Sequence, residues 1–143
     1  MLLRDSSGRV LCDRLRVADT PLARARGLLG RRGLEDGEGL LLRPAGSIHT
    51  AFMRFSIDAV FLDSNGVVLH VAHDLHPWKV AGKWGARAVI ELARGEARRH
   101  GFKPGLQLEL RPSSDGRPET TKRLPPRPAT EVEPHGSAVI HRR

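Results

Sequence analysis

The chain has 143 residues, with 24 lysines and arginines against 16 aspartates and glutamates, for a formal net charge of +8. This length suits one small domain, and no apolar run approaches the roughly 20 residues of a membrane-spanning helix. Cys12 is the only cysteine, which excludes an internal disulfide framework and a cysteine-based zinc finger. The N-terminus is charged early and lacks the apolar core of a signal peptide. We therefore expect a cytoplasmic protein with no membrane span.

The composition changes near the C-terminus. Residues 111–143 hold six of the ten prolines, no aromatic residue, and seven basic against four acidic residues. Such a segment cannot bury enough apolar area to offset the entropy of ordering the chain. We predict one folded domain over residues 1–110, with charge +5, and a disordered, proline-rich basic tail over 111–143, with charge +3.

The first elements in chain order are a strand and a short helix. Residues 9–17 alternate loosely between apolar and polar and predict a strand. Thr20 and Pro21 are typical of a helix N-terminus, apolar residues follow at helical spacing, and Gly30 can end the helix. After a glycine-rich, charged loop, residues 40–42 begin a run of extended segments.

A hairpin is the clearest element of the second half. Residues 56–63 predict a strand, an Asn-Gly pair predicts a tight turn, and residues 67–72 predict the returning strand. Further strands are predicted over 86–92 and 106–110, with one or two helical turns between them. Short strands, tight turns and little helix predict a mainly β fold: a compact sandwich- or barrel-like antiparallel domain with one or two short helices.

Polar side chains interrupt these apolar strands. Between Ile57 and Leu62 of this strand, Asp58 is the only polar residue, and a buried carboxylate is costly unless it is paired or hydrogen-bonded. The most economical arrangement collects four polar residues on one sheet face: Asp58, His70, Arg87 and Glu91. Two carboxylates beside a histidine and an arginine could perform acid–base chemistry or bind a polar ligand. The alternative is a salt-bridge network that only fixes the hairpin against its neighbour.

The histidines predict no metal site. His70, His73 and His76 are spaced by three, but the β-branched residues before them and the proline after them disfavour the helix that would bring them together. His49 precedes an apolar segment and could lie beside the polar cluster or serve the structure alone. No cofactor is predicted. The candidate catalytic residues are Asp58, Glu91 and His49.

Two other features carry alternative interpretations. Trp78 and Trp84 flank two lysines in one loop, where exposed tryptophans would mark a binding surface and buried ones would close a small core. Cys12 has no partner motif and is interpreted as a packed thiol.

A stretch of arginines precedes the glycine-rich loop: Arg24, Arg26, Arg31 and Arg32. Arginines can contact phosphate. However, no phosphate-binding loop motif follows, and no aromatic-rich strand pair of the RNA-binding kind is present. A solvated helix face with its loop is therefore the favoured interpretation.

Several strings, in this order, carry a family resemblance: residues 27–31 (GLLGR), 53–63 (MRFSIDAVFLD), Pro77-Trp78, 88–95 (AVIELARG), and Gly101 with Pro104-Gly105. The chain resembles the uncharacterised bacterial and archaeal family called domain of unknown function 192 over about residues 9–110. The resemblance implies a compact, mainly β domain of sandwich-like form with short helices. It implies no established activity, cofactor or catalytic set. Asp58 and Glu91 fall in the most recognisable strings.

The sequence favours a small soluble binding or accessory module, a monomer whose partner is a protein or a small polar ligand. The candidate ligand-binding residues are His49, Asp58, His70, Arg87, Glu91, Trp78 and Trp84. One alternative is a hydrolase that uses Asp58 and Glu91 as base and acid on a polar or sugar-like substrate. A third is weak nucleic-acid binding through the Arg24–Arg32 stretch, although nucleic acid is the less favoured partner. An enzyme requires a pocket that holds Asp58 or Glu91, and a binding module requires an exposed tryptophan.

Overall fold

The computed structural model describes residues 1–113. The predicted tail lies outside the described residues from residue 114 onward. The elements, in chain order, are β1 (Leu2–Asp5), β2 (Val10–Cys12), β3 (Arg14–Ala18), α1 (Pro21–Arg26), β4 (Glu38–Leu42), β5 (Ser47–His49), β6 (Ile57–Leu62), β7 (Val68–Leu75), β8 (Val80–Gly82), β9 (Ala88–Ala93), α2 (Glu96–Arg99) and β10 (Leu108–Arg111).

A five-stranded sheet forms the centre of the fold, in the order β3-β4-β9-β6-β7. Neighbouring strands run antiparallel except β3 and β4, which are parallel. All six residues of β6 are buried, which places this strand in the middle of the molecule. The hairpin predicted from the Asn-Gly turn is present as β6 and β7, and Gly66 takes the positive φ of 79° that the turn requires.

Apolar side chains cover both faces of this sheet, because residues alternate between the two faces along each strand. On one face, Val60 and Ile90 belong to a core cluster with Leu3 and Leu11 of a three-stranded sheet in the order β10-β1-β2. On the other face, side chains of β6 and β9 form a second cluster with Leu28, which follows α1. Among the described residues, strands β5 and β8 pair only with each other, as the β5–β8 ribbon, and Ile48 joins the second cluster.

Helix α1 begins as its sequence predicts. The Thr20 side chain accepts a hydrogen bond from the backbone N–H of Ala23, and Pro21 occupies the first turn. The helix ends at Arg26 rather than continuing to Gly30, because Gly27 turns the chain with φ 45°.

The mainly β, sandwich-like fold is confirmed, but the domain is not wholly antiparallel as predicted, because β3 and β4 pair in parallel. The strands also differ from the prediction at two further places. The strand predicted over residues 9–17 is divided into β2 and β3, and β1 precedes them. The apolar alternation of β1 is not visible in the sequence, because the charged Asp5 occupies one of its buried positions. The Asp5 carboxylate accepts hydrogen bonds from Ser7 and Arg9. The predicted 76–85 loop contains β8, which is only three residues long. Within residues 1–113, no helix is long and apolar enough to cross a membrane.

Candidate functional site

Asp58 and Glu91 project from opposite faces of the central sheet. In the antiparallel pairing of β6 with β9, Glu91 lies opposite Ala59, and Asp58 lies opposite Leu92. Cross-strand partners share a face, and a shift of one residue along a strand reverses the face. The prediction of one polar cluster containing both carboxylates is therefore wrong.

Asp58 is fully engaged by the backbone. Its Oδ1 accepts a hydrogen bond from the N–H of Asp74 at 2.9 Å, and its Oδ2 accepts from the N–H groups of Gly95 and Ala97 at 3.0 Å each. These bonds join β6 to the end of β7 and to the first turn of α2. Because the residue is buried, the hydrogen bonds compensate the carboxylate for its lost hydration.

Glu91 has the opposite environment. Its side chain is 4% exposed, and its face neighbours across the strand pairs are Leu40 and Ala59. Within residues 1–113, its Oε2 has no hydrogen-bond partner. Burial raises the pKa of Glu91 to about 7, because desolvation disfavours the charged form.

Glu91 lines a cavity of about 310 Å³ between the end of α1, strand β5 and the central sheet. Apolar walls come from Leu28, Leu42, Ile48 and Met53, among others. The remaining polar and charged side chains on the lining are Arg24, Arg26, Ser47 and His49. A small set of polar groups among apolar walls is the usual constitution of a small-molecule site.

The cavity brings together only two of the seven candidate residues, His49 and Glu91. His70 is exposed and stacks on Phe61, with 5.9 Å between ring centroids. Arg87 is exposed and precedes β9. Neither lines the cavity.

Both tryptophans are on the surface. Trp78 is 65% exposed and Trp84 is 96% exposed, so neither closes the core. The ring of Trp78 meets that of Phe52 edge to face, with 4.7 Å between centroids. The alternative of an exposed tryptophan surface is the one that the structure supports.

Thr50 organises this aromatic surface, and no sequence signal indicated it. Its hydroxyl donates to the carbonyl oxygen of His76 at 2.6 Å and accepts from the N–H of Lys79 at 2.8 Å. Its own carbonyl oxygen accepts from the N–H of Trp78 at 3.0 Å. Thr50 is buried, so these bonds hold the residues that follow β5 against those that precede β8.

A second polar group was also missed. Ser56 Oγ lies 3.0 Å from His76 Nδ1, and His76 Nε2 lies 3.6 Å from Asp74 Oδ2. The second distance is too long for a hydrogen bond, and Asp74 forms an ion pair with Arg94 at 3.1 Å. The arrangement is a surface network and lacks the tight serine–histidine–aspartate relay of a hydrolase. In residues 1–113, no group of three or more histidine, cysteine or acidic side chains is placed to hold a metal ion.

The basic stretch and the cysteine also have definite places. Arg24 Nη1 donates to the carbonyl oxygens of Asp19 and Arg43, and Arg31 forms an ion pair with Glu38 at 3.0 Å. Two of the four arginines are therefore engaged in intramolecular contacts.

Cys12 is buried, and burial raises its thiol pKa to about 11, as expected of a packed thiol.

The fold and the cavity define a β-rich domain in which, within residues 1–113, the buried carboxyl of Glu91 has an oxygen without a hydrogen-bond partner and Glu91 lines a small cavity. The chain belongs to the family DUF192, described as "Uncharacterized ACR, COG1430", whose model matches residues 3–110. It is similar to a UPF0127 protein of Thermococcus sibiricus, with 35% identity over 100 residues, which cover 66% of this chain and 64% of that protein. A UPF0127 protein of Pyrococcus horikoshii is 37% identical over 99 residues, covering 66% and 85% respectively. The crystal structure of a protein of unknown function from Novosphingobium aromaticivorans has a TM-score of 0.66 and 27% identity, covering 76% of this chain and 82% of that one.

Proposed function

We propose that this domain is a binding module for a small molecule and that the ligand occupies the cavity beside Glu91. The observation that carries the proposal is Glu91, a buried residue on the cavity lining whose Oε2 has no hydrogen-bond partner within the described part of the chain. Leaving a buried polar atom without a hydrogen bond costs about 1–3 kcal/mol. A ligand that supplies the missing bond recovers this free energy on binding.

The lining indicates the chemistry of the ligand. An unpaired carboxyl favours an N–H or O–H donor, such as an amine, amidine or amide, and the leucine, isoleucine and methionine side chains favour an apolar body. Arg26 and Ser47 also line the cavity, where an acidic or polar end of the ligand could be held. A volume of about 310 Å³ is at the lower end of the range for ligand sites, so the ligand is small.

The hydrolase with Asp58 and Glu91 as a pair gains no support from this geometry. A pair of catalytic carboxyls must face one substrate, whereas these two lie on opposite faces of one sheet. Both carboxylate oxygens of Asp58 also accept hydrogen bonds from backbone N–H groups. Glu91 and His49 remain as the ligand-contacting candidates of the cavity.

A ligand-observed NMR screen of amine, amidine, amide and carboxylate fragments against the full chain tests the proposal. Leu29→Trp places a large ring on the cavity lining at a partly exposed position. Leu22→Trp is the matched control, because Leu22 is an exposed leucine of α1, seven residues earlier in the chain, and does not line the cavity. We expect fragments with N–H donors to bind the wild type and the Leu22→Trp variant but not the Leu29→Trp variant. Glu91→Ala should weaken the same fragments selectively. The proposal fails if no fragment binds, or if binders are indifferent to Leu29→Trp.

A further inference from the structure

Strand β8 has one paired edge and one open edge. Ala81 lies opposite Ile48 of β5, and hydrogen bonds on either side run from the N–H of Thr50 to the carbonyl oxygen of Lys79 and from the N–H of Lys83 to the carbonyl oxygen of Gly46. Backbone hydrogen bonding alternates along antiparallel strands. Val80 and Gly82 therefore direct their N–H and C=O groups away from β5, and in residues 1–113 no other strand pairs with β8.

The surroundings of this edge are apolar and basic. Val80 is 79% exposed and lies between the exposed Trp78 and Trp84. Residues 47–56 and 76–87 contain four basic residues and no acidic residue. All four of these are exposed: Arg54, Lys79, Lys83 and Arg87. The charge of the surface therefore favours an acidic partner.

Two aromatic residues of this surface have an unfavourable backbone conformation. Phe52 has φ 61° and Trp78 has φ 65°, in the left-handed region that bulky residues rarely adopt. The carbonyl oxygen of Thr50 accepts hydrogen bonds from the N–H groups of Trp78 and of Met53, the residue after Phe52. The rings of Phe52 and Trp78 contact each other while they stay exposed. Such backbone outliers persist only where the surrounding structure enforces them, and they cluster at binding sites.

We propose that the open edge of β8 binds an extended, acidic peptide segment of another protein as an added strand. The outward N–H and C=O groups of Val80 and Gly82 pair with the peptide backbone. Trp78 and Trp84 contact its apolar side chains, and the lysines beside them attract its carboxylates. A second copy of the same basic edge is disfavoured by like-charge repulsion, and residues 111–143 of this chain are themselves net basic.

The two tryptophans make the test direct. They are the only tryptophans in the chain, which also lacks tyrosine, so intrinsic fluorescence reports on this surface alone. A phage-displayed library of random dodecapeptides is selected on the full chain, with counter-selection on the Lys79→Glu/Lys83→Glu variant. The most enriched peptide is synthesised and titrated by fluorescence. We expect enrichment of acidic peptides with alternating apolar residues.

Two matched pairs of variants distinguish strand addition at β8 from nonspecific electrostatic attraction between the basic protein and an acidic peptide. Val80→Pro removes the outward N–H without breaking a bond to β5, whereas Val80→Thr retains it, so only the proline variant should weaken binding, by about tenfold. Lys79→Glu/Lys83→Glu should weaken binding at least tenfold, whereas the same charge change at exposed Arg98 and Lys103 should have a smaller effect. Thermal melts confirm that each variant is folded. Trp84→Phe changes the aromatic surface at an exposed turn and leaves the sequence of β8 unaltered.

Oligothymidylate and phosphatidylserine vesicles are titrated in parallel as other anionic partners. Peptide binding that is lost with Val80→Pro and kept with Val80→Thr supports the proposal. Tighter binding of oligothymidylate or vesicles, failure to enrich acidic peptides, or equal affinity of the two Val80 variants for the peptide would each overturn it. The cavity variant Leu29→Trp should leave peptide affinity unchanged, so this proposal and that for the Glu91 cavity can fail independently.

Discussion

Asp58 and Glu91 are buried on adjacent strands, offset by one residue in register, and they face opposite sides of the central sheet. Asp58 accepts three backbone hydrogen bonds and holds α2 against β6. Glu91 has an oxygen without a hydrogen-bond partner in residues 1–113 and lines a cavity. The register of one strand pair therefore separates a carboxylate that accepts three backbone hydrogen bonds from a carboxyl that lines a cavity.

The raised pKa of Glu91 predicts a pH-dependent stability. The ordinary pKa is 4.5 and burial raises it to about 7 in the folded protein, so between these values the unfolded chain releases a proton that the folded protein retains. The contribution of Glu91 to the free energy of unfolding is therefore greatest below pH 4.5 and falls as the pH rises to 7, by on the order of 2–3 kcal/mol. Glu91→Gln cannot titrate. We expect it to be more stable than the wild type at pH 8, and the advantage to disappear towards pH 4.

Urea denaturation of both proteins at pH 4, 6 and 8 measures this difference. Glu96→Gln is the matched control, because Glu96 is an equally buried glutamate that contacts Arg99 at 2.9 Å and His100 at 3.0 Å. Losing these contacts should destabilise the protein at pH 8, the opposite sign to Glu91→Gln. A Glu91→Gln variant that is less stable than the wild type at pH 8 would contradict an unpaired carboxyl at this site.

Asp58→Asn should destabilise the fold at neutral pH. The amide keeps the shape but replaces one acceptor oxygen with a donor NH₂ group, which faces backbone N–H groups on Asp74 or on Gly95 and Ala97. We expect the free energy of unfolding to fall by about 2–4 kcal/mol, since hydrogen bonds to a charged acceptor are lost and a donor is buried without a partner. Chemical denaturation checks this value.

Asp63→Asn is the comparison for Asp58→Asn. Asp63 Oδ1 also accepts two backbone N–H bonds, from Asn65 and Val67, but it does so at the partly exposed β6–β7 turn. Water can replace those bonds, so we expect a loss below about 1 kcal/mol. Equal losses in the two variants would show that the buried network at Asp58 has no special role.

Local sequence patterns predict most strands of this fold but not their relative positions. Alternation and turn residues identify β6, β7 and β9 to within a few residues, and the isolated polarity of Asp58 correctly indicates a buried carboxylate. Register is determined by contacts between strands that are distant in sequence, and an error of one residue moves a side chain to the other face. For that reason the sequence indicates the burial of Asp58 but cannot establish whether Asp58 and Glu91 share a face.

The cavity and the open edge arise from tertiary contacts. The cavity lining extends from Arg24 to Glu91 in sequence and combines a helix end, an isolated ribbon and the central sheet. β8 contains three residues, one of them Gly82, which is too short for a periodic pattern. The exposure of Trp78 and Trp84 could be posed as one of two alternatives, because composition does not show whether a tryptophan is covered.

Thr50→Val should loosen the aromatic surface. The substitution keeps the shape and removes the hydroxyl that donates to the carbonyl oxygen of His76 and accepts from the N–H of Lys79. These backbone groups lose their partner at a buried position, so we expect a loss of about 1–3 kcal/mol in the free energy of unfolding. The fluorescence anisotropy of the two tryptophans should also fall. Thr20→Val is the control, because it alters an exposed helix cap that is remote from the tryptophans in sequence; unchanged anisotropy in Thr50→Val would contradict the organising role of Thr50.

Cys12 should resist thiol reagents in the folded protein. The side chain is buried, its Sγ contacts the carbonyl oxygen of Gly37 at 3.0 Å, and burial raises the thiol pKa to about 11. The reactive thiolate is therefore scarce at pH 8, and the reagent has no direct access to the sulfur. Ellman's reagent should label the native protein slowly and the urea-unfolded protein rapidly and stoichiometrically. Asp58→Asn should accelerate labelling, because a smaller free energy of unfolding increases the population of the open state, whereas rapid stoichiometric labelling of the native wild type would contradict the packed position of Cys12.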